Sequence, residues 1–291
     1  MSKSTAMPLE GKRILVTRTR EQASVLSERL RALGAIPVEF PTIRIVPPED
    51  WNTLDSTLHR LFSSEGSAYD WLVLTSANGV NICCERLRTL GYEARDLQTK
   101  QLVRVATIGP ATAAALAHYG ITADLVPDEY IAESVVAALI ADAYKRESSI
   151  AGQRILLARA SEARKVLVSE LQQAGVLIDE VAAYNTLPVA HDDSRGHEIL
   201  RLLLDHQLAI LTFTSSSTVR SFVMWLKSCE QCATTALIDL VMQHIQLASI
   251  GPITSQTARE LGLHVDIEAK EFTINGLVNA IVQQQEEKLS W

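Results

Sequence analysis

Arg13-Ile14-Leu15-Val16-Thr17-Arg18 recurs 141 residues later as Arg154-Ile155-Leu156-Leu157-Ala158-Arg159, and the reading of this pair decides the fold. Three more blocks recur in the same order. Thr75-Ser-Ala-Asn-Gly-Val80 returns as Thr214-Ser-Ser-Ser-Thr-Val219, and Ala106-Thr-Ile-Gly-Pro-Ala-Thr112 as Ala248-Ser-Ile-Gly-Pro-Ile-Thr254. Glu129-Tyr130 answers Glu271-Phe272. The chain is two copies of one plan.

Each copy reads as strand, turn, helix. Ile14 to Thr17 is a short continuous apolar run, as in a parallel sheet buried on both faces. Thr19-Arg-Glu-Gln22 fits a capping box at a helix start. Val25, Leu26, Leu30 and Leu33 form an apolar stripe, Gly34 stops the helix in the left-handed region, and Ile36 to Phe40 is the next strand. In the second copy Ser161 takes the cap position, Val166, Leu167, Leu171 and Ala174 the stripe, Gly175 the stop, and Val176 to Ala182 the strand. Further helices are expected at Ser134 to Ala143, Val219 to Ser228 and Ile274 to Gln283. Strands alternating with helices predict an α/β chain: two doubly wound parallel-sheet lobes related by a pseudo-twofold.

In open α/β sheets ligands bind at the carboxyl ends of the strands, where strands turn into helices. Here those turns carry Arg18, Thr75, Ser76, Ala77, Gly109, Thr112 and, in the second copy, Arg159, Ser161, Thr214, Ser215, Ser216, Gly251 and Thr254. Helix N-termini offer unpaired N–H groups and about half a positive charge, so such corners suit a ligand with many anionic arms. Ser and Thr at helix starts are equally ordinary caps, and the two arginines either meet ligand or pair with a neighbouring acid.

Composition removes rival classes. With 47% hydrophobic and 21% charged residues the chain is globular. No apolar run approaches the ~18 residues of a membrane helix, and the polar Met1 to Gly11 stretch lacks a signal-peptide core, which predicts the cytoplasm. A net charge of −7 without a Lys/Arg cluster argues against nucleic acid. The seven histidines are scattered. Cys83 and Cys84 read as small hydrophobes, and the single Cys229/Cys232 spacing is a poor metal or redox site. GxGxxG, GxxxxGK[ST] and GxSxG are all absent, so nucleotide cofactors and Ser-His-Asp hydrolysis lose their main support.

Several blocks together resemble the uroporphyrinogen-III synthase family: Val16-Thr17-Arg18, Asp70-Trp-Leu-Val-Leu-Thr-Ser-Ala-Asn-Gly-Val80, Ile108-Gly-Pro110, Val181-Ala-Ala-Tyr-Asn-Thr186, Phe213-Thr-Ser-Ser-Ser-Thr-Val219, Ile250-Gly-Pro252 and Phe272-Thr-Ile-Asn-Gly-Leu277. Thr19 and Ser216 stand where the family often has Pro. The resemblance implies exchanged segments, with lobes of residues 1–41 plus 189–291 and 42–188 joined by a two-strand linker, and an active site in the cleft between them. It implies hydroxymethylbilane, a linear polycarboxylate tetrapyrrole, as substrate, ring closure with loss of water, no cofactor or metal, and a monomer. Tyr184 is similar to the family's general-acid candidate, or else a tyrosine packed at a domain joint. Two other classes compete: a non-catalytic tetrapyrrole sensor, and a sugar- or amino-acid-binding protein of the periplasmic type. Conversion of hydroxymethylbilane to isomer III separates them.

Overall fold

The computed structural model describes residues 7–63, 67–190, 194–229 and 242–289. Cys232 lies outside them. The strands are β1 Arg13–Val16, β2 Ile36–Glu39, β3 Ile43–Val46, β4 Trp71–Leu74, β5 Arg104–Thr107, β6 Arg154–Ala160, β7 Leu177–Pro188, β8 Ile210–Phe213, β9 Gln246–Ser249 and β10 Ile267–Glu268. The helices are α1 Arg20–Ala32, α2 Asn52–His59, α3 Ala77–Thr89, α4 Asp96–Thr99, α5 Pro110–Ala117, α6 Ala132–Lys145, α7 Val166–Gln173, α8 Ser194–Leu204, α9 Ser216–Ser228, α10 Pro252–Glu260 and α11 Ile274–Leu289.

The chain packs as two compact units, Met1–Arg44 with Leu187–Trp291, and Ile45–Thr186. The first holds a sheet of order β10-β9-β8-β1-β2, the second one of order β3-β7-β6-β4-β5. Parallel pairing runs through β10, β9, β8, β1 and β2 in the first sheet and through β7, β6, β4 and β5 in the second. This is the α/β plan with parallel sheets that the strand–helix alternation predicts.

Alternate side chains of each strand go to opposite faces, and both faces are covered. In the first unit Ile14, Val16 and Ile210 pack with Leu26 and Leu30 of α1 and Leu277 and Ile281 of α11. Leu15, Leu211 and Phe213 pack with Ile199 of α8, Phe222 of α9 and Ala258 of α10. In the second, Leu72 and Leu74 join α2, α3 and α5, while Trp71 and Val73 join α6 and α7. β1, β4 and β8 are thereby buried almost end to end, which is why they read as unbroken apolar runs.

The pairing shows how the two sequence copies are used. Ile14 lies opposite Ile210 in the first sheet, and Ile155 opposite Trp71 in the second. Since Ile14 corresponds to Ile155 and Trp71 to Ile210, each sheet joins one half of each copy in the same register. The short β10 at the edge of the first sheet has its counterpart in the Ala106/Leu125 bridge at the edge of the second.

Three local expectations are corrected. Thr19 precedes α1 but makes no side-chain cap; it is 3% exposed, and its carbonyl takes the Gln22 and Ala23 amides. Ser161 is not a cap either, because α7 begins only at Val166: the Ser161 amide donates to the Tyr184 carbonyl, continuing the sheet past the end of β6. Val25 is 49% exposed and outside the stripe, which Leu26 and Leu30 carry. Gly34, Gly175, Gly120 and Gly262 take positive φ, as helix stops do. Cys83 and Cys84 are buried thiols in the core, and burial pushes the Cys84 thiol up to about 12.

Candidate active site

Tyr184 reaches its place through an irregularity. Opposite β6 the register of β7 runs Ala158/Val181, Arg159/Ala182 and then Ala160/Tyr184, so Ala183 is an extra residue. Regular alternation would send Val181 and Ala183 to one face and Tyr184 to the other. The bulge instead puts all three in the core cluster that contains α3. The ring, 7% exposed, runs past Gly79, where an added Cβ would lie 3.8 Å from Tyr184 Cε1 and 3.3 Å from Ser76 Oγ.

Its hydroxyl ends at the start of α3, with Tyr184 Oη 2.9 Å from Ser76 Oγ. Ser76 caps the helix, accepting the Gly79 amide at 3.0 Å. Asn78 also hydrogen-bonds the phenol. Burial raises the Tyr184 phenol above its usual value, and its hydrogen bonds with Ser76 and Asn78 pull the other way. A phenol so placed can release a proton beside donors and a helix N-terminus that hold the oxygen left behind. At the matching corner of the first unit Thr42 Oγ1 donates to the carbonyls of Thr17 and Thr218, and Thr218 stands where the second unit has Gly79. Only one copy therefore carries a phenol.

The two Ile-Gly-Pro turns have a different logic. Gly109 and Gly251 are extended, a conformation any residue adopts, so conformation does not demand glycine. Space does. A Cβ on Gly109 would lie 2.9 Å from Tyr130 Cγ, and one on Gly251 2.7 Å from Phe272 Cδ1. The recurring Glu-Tyr and Glu-Phe blocks thus supply a ring laid on each glycine. Pro110 and Pro252 open α5 and α10, which have no side-chain cap, as α1 has none. Pro110 and Pro252 have no N–H themselves, and the Thr112 amide turns back to the Gly109 carbonyl, so only the other amides of these first turns can face a ligand.

The other expected residues divide. Arg159, 3% exposed, is committed to Glu180 at 2.7 Å and to the Arg164 carbonyl at 2.8 Å. Arg18 at the matching strand end meets Gln22 at 3.2 Å, and its buried Nε has no hydrogen-bond partner among the described residues. Ser215 caps α9 through the Thr218 amide, Ser216 bonds Thr257, and Ser161 bonds Asn185. Thr112 and Thr254 are 4% and 5% exposed. Thr75, Ala77 and Thr214 lie half-buried at the strand ends. Gly79, Asn78, Tyr130 and Phe272 were not expected at these corners of their units, although each sits in a motif or repeat block. Two surface depressions of the second unit, of about 670 Å³ along α6 and about 390 Å³ at the far end of α3, are lined by neither Tyr184 nor Ser76. Among the described residues no group of three or more His, Cys, Asp or Glu is placed to hold a metal, and no helix is long and apolar enough to cross a membrane.

Known proteins match along nearly the whole chain. The solved structure of a mutant uroporphyrinogen III synthase from the extremely thermophilic bacterium Thermus thermophilus shares the fold, with a TM-score of 0.63 at 16% identity over 96% of this chain and all of that one. The uroporphyrinogen-III synthase of Chlorobaculum parvum is 29% identical over 272 residues, 94% of this chain and 98% of that one. That of Synechococcus elongatus is 36% identical over 280 residues, 95% and 96% respectively. The family model described as uroporphyrinogen-III synthase HemD matches residues 24–279, and on these matches the chain belongs to the uroporphyrinogen-III synthase family.

Proposed function

We propose that the chain folds and cyclises hydroxymethylbilane, losing water and inverting the terminal pyrrole through a spiro intermediate, to give uroporphyrinogen III. The enzyme class, a cyclising lyase of tetrapyrrole and heme biosynthesis, follows from the family. The observation that carries the mechanism is the buried Tyr184 hydroxyl, 2.9 Å from the cap of α3 at the carboxyl end of β4.

The reaction asks little covalent chemistry of a protein. An electron-rich pyrrole expels its own hydroxyl group, so no metal or organic cofactor is required, and the free bilane also closes unaided to the non-inverted isomer I. The enzyme's task is to hold one conformer while charge develops, a matter of orientation. In our reading the uncapped starts of α1, α5 and α10, with Arg18, hold the carboxylate arms, which suits a chain of net charge −7 without a basic patch. Tyr184 supplies the proton that turns the departing hydroxyl into water. The matching order of β9-β8-β1-β2 and β5-β4-β6-β7, paired in the same register up to the β7 bulge, supports reading the units as lobes related by a pseudo-twofold, both serving this substrate. We take the protein to act as a cytoplasmic monomer.

The test is incubation of purified protein with hydroxymethylbilane, oxidation, and separation of isomers I and III. Isomer III is expected. Isomer I alone would leave the protein a sensor of tetrapyrroles. Tyr184→Phe is expected to lower kcat by ~10²-fold or more, the scale of general acid catalysis, while still yielding isomer III. A fully active variant would remove Tyr184 from the mechanism, and one yielding isomer I would assign it to folding the substrate.

A further inference from the structure

Ser76 Oγ has one hydrogen and two lone pairs, and the structure gives it two partners. One lone pair takes the Gly79 amide at 3.0 Å, which closes the first turn of α3. The remaining contact is Tyr184 Oη at 2.9 Å, across 108 residues of sequence. Two arrangements satisfy that distance. If Tyr184 donates, its proton is tied to the protein and the Ser76 hydrogen needs another acceptor, but the Ser76 hydroxyl has no further hydrogen bond among the described residues. If Ser76 donates, both of its contacts are used, and the hydrogen left to pass to the substrate is that of Tyr184 and not that of Ser76. Asn78, in the first turn of the same helix, is the second group on the phenol oxygen.

We infer that Ser76 is a positioning residue that donates its hydrogen bond to Tyr184 Oη, turning the phenol's own proton away from the protein and toward the substrate. This rests on Tyr184 acting as the acid. The Tyr184 O–H bond breaks as its proton passes to the substrate's hydroxymethyl oxygen. The C–O bond there breaks with it, water leaves, and the phenolate keeps the Ser76 hydrogen bond. The proton returns when the closing pyrrole loses its α hydrogen, so the step needs no other reactant. The Ser76 side chain, expected from the sequence at a substrate-facing turn, is thereby directed to the acid and to its own helix.

The experiment is a double-mutant cycle on kcat with Ser76→Ala, Tyr184→Phe and the double variant, plus Ser76→Thr, each checked by denaturant unfolding because Ser76 also caps α3. Ser76→Ala is expected to lower kcat about 10-fold with KM nearly unchanged. Its alkaline limb in the kcat–pH profile should move up, since the phenolate has lost a donor. Ser76→Thr, which keeps both cap and hydroxyl, should restore most of the rate. In the Tyr184→Phe background Ser76→Ala should cost nothing further. Independent, multiplying losses, or a change in KM alone, would return Ser76 to substrate binding and overturn the inference while leaving Tyr184 as the acid. Full activity of Tyr184→Phe by itself would overturn both.

Discussion

Gly109→Ala and Gly251→Ala change a single methyl group each, and each methyl would arrive inside van der Waals contact of a ring, 2.9 Å from Tyr130 and 2.7 Å from Phe272. The contacted atoms belong to the rings' inner edges and cannot swing clear, so overpacking costs of ~1–3 kcal/mol are expected in either variant. Chemical denaturation of Gly109→Ala, Tyr130→Ala and the pair measures this. Because the alanine at 130 removes the obstacle, the pair should lose less than the sum of the singles. At this scale the sequence was half legible. Repetition flagged the glycines and the aromatic blocks, but a ring lying on a glycine about twenty residues away leaves no local periodicity to read. The same holds for Tyr184: its residue type and strand end could be read in advance, whereas its partner Ser76 lies far outside any window of local pattern. Arg18 and Arg159 look alike as sequence and differ only because Glu180 stands beside the second.

Element boundaries followed from apolar spacing to within two residues where a strand or helix is buried on a definite side, as in β1 and α6. Reading failed where pairing outran the pattern, at Ser161, which stays beside β7 for several residues before α7 begins. The β7 bulge that causes this also aims Tyr184. Deleting Ala183 leaves Val181-Ala182-Tyr184 in regular alternation, which keeps Tyr184 opposite Ala160 and on the face of Val181. That variant is expected to stay folded by circular dichroism and to keep more activity than Tyr184→Phe; a loss as large as that of Tyr184→Phe would show that the bulge's local geometry, and not the face alone, aims the phenol. A second prediction concerns how α6 is held on its sheet. Arg104 of β5 hydrogen-bonds Asp142 of α6, at 2.9 Å for one of the contacts, and lies over the Trp71 ring. The Arg104 hydrogen bond holds the Asp142 carboxyl below the usual carboxylate range. A carboxylate lowered by folding stabilises the native state above its unfolded value near ~4, and this contribution disappears as pH falls through the folded value. Melting temperature should therefore decline below pH ~4, and decline less steeply in Asp142→Asn, which starts ~1–3 kcal/mol less stable.

At the scale of the molecule, the two copies are not the two units. The second unit takes α2 to α6 from the first copy and β6-α7-β7 from the second. A fragment of residues 42–188 contains all five strands of its sheet, so it should unfold cooperatively in urea on its own. A fragment of residues 1–148, a complete copy by sequence, contains β4 without β6 and β1 without β8, and should show no such transition. Repetition in the sequence revealed that there are two copies; the exchange followed only from resemblance, because which strands pair is a long-range fact. The exchange also sets an order of events at the ribosome. Residues 13–39 are made first, yet until β8 emerges their β1-α1-β2 piece is a two-stranded ribbon with one helix, too little to be stable alone. The middle of the chain finishes its own sheet sooner, at β7. The earliest-made segment thus waits longest for its partner. Chains truncated after residue 200, released and briefly treated with protease, should keep the middle segment intact and lose the beginning.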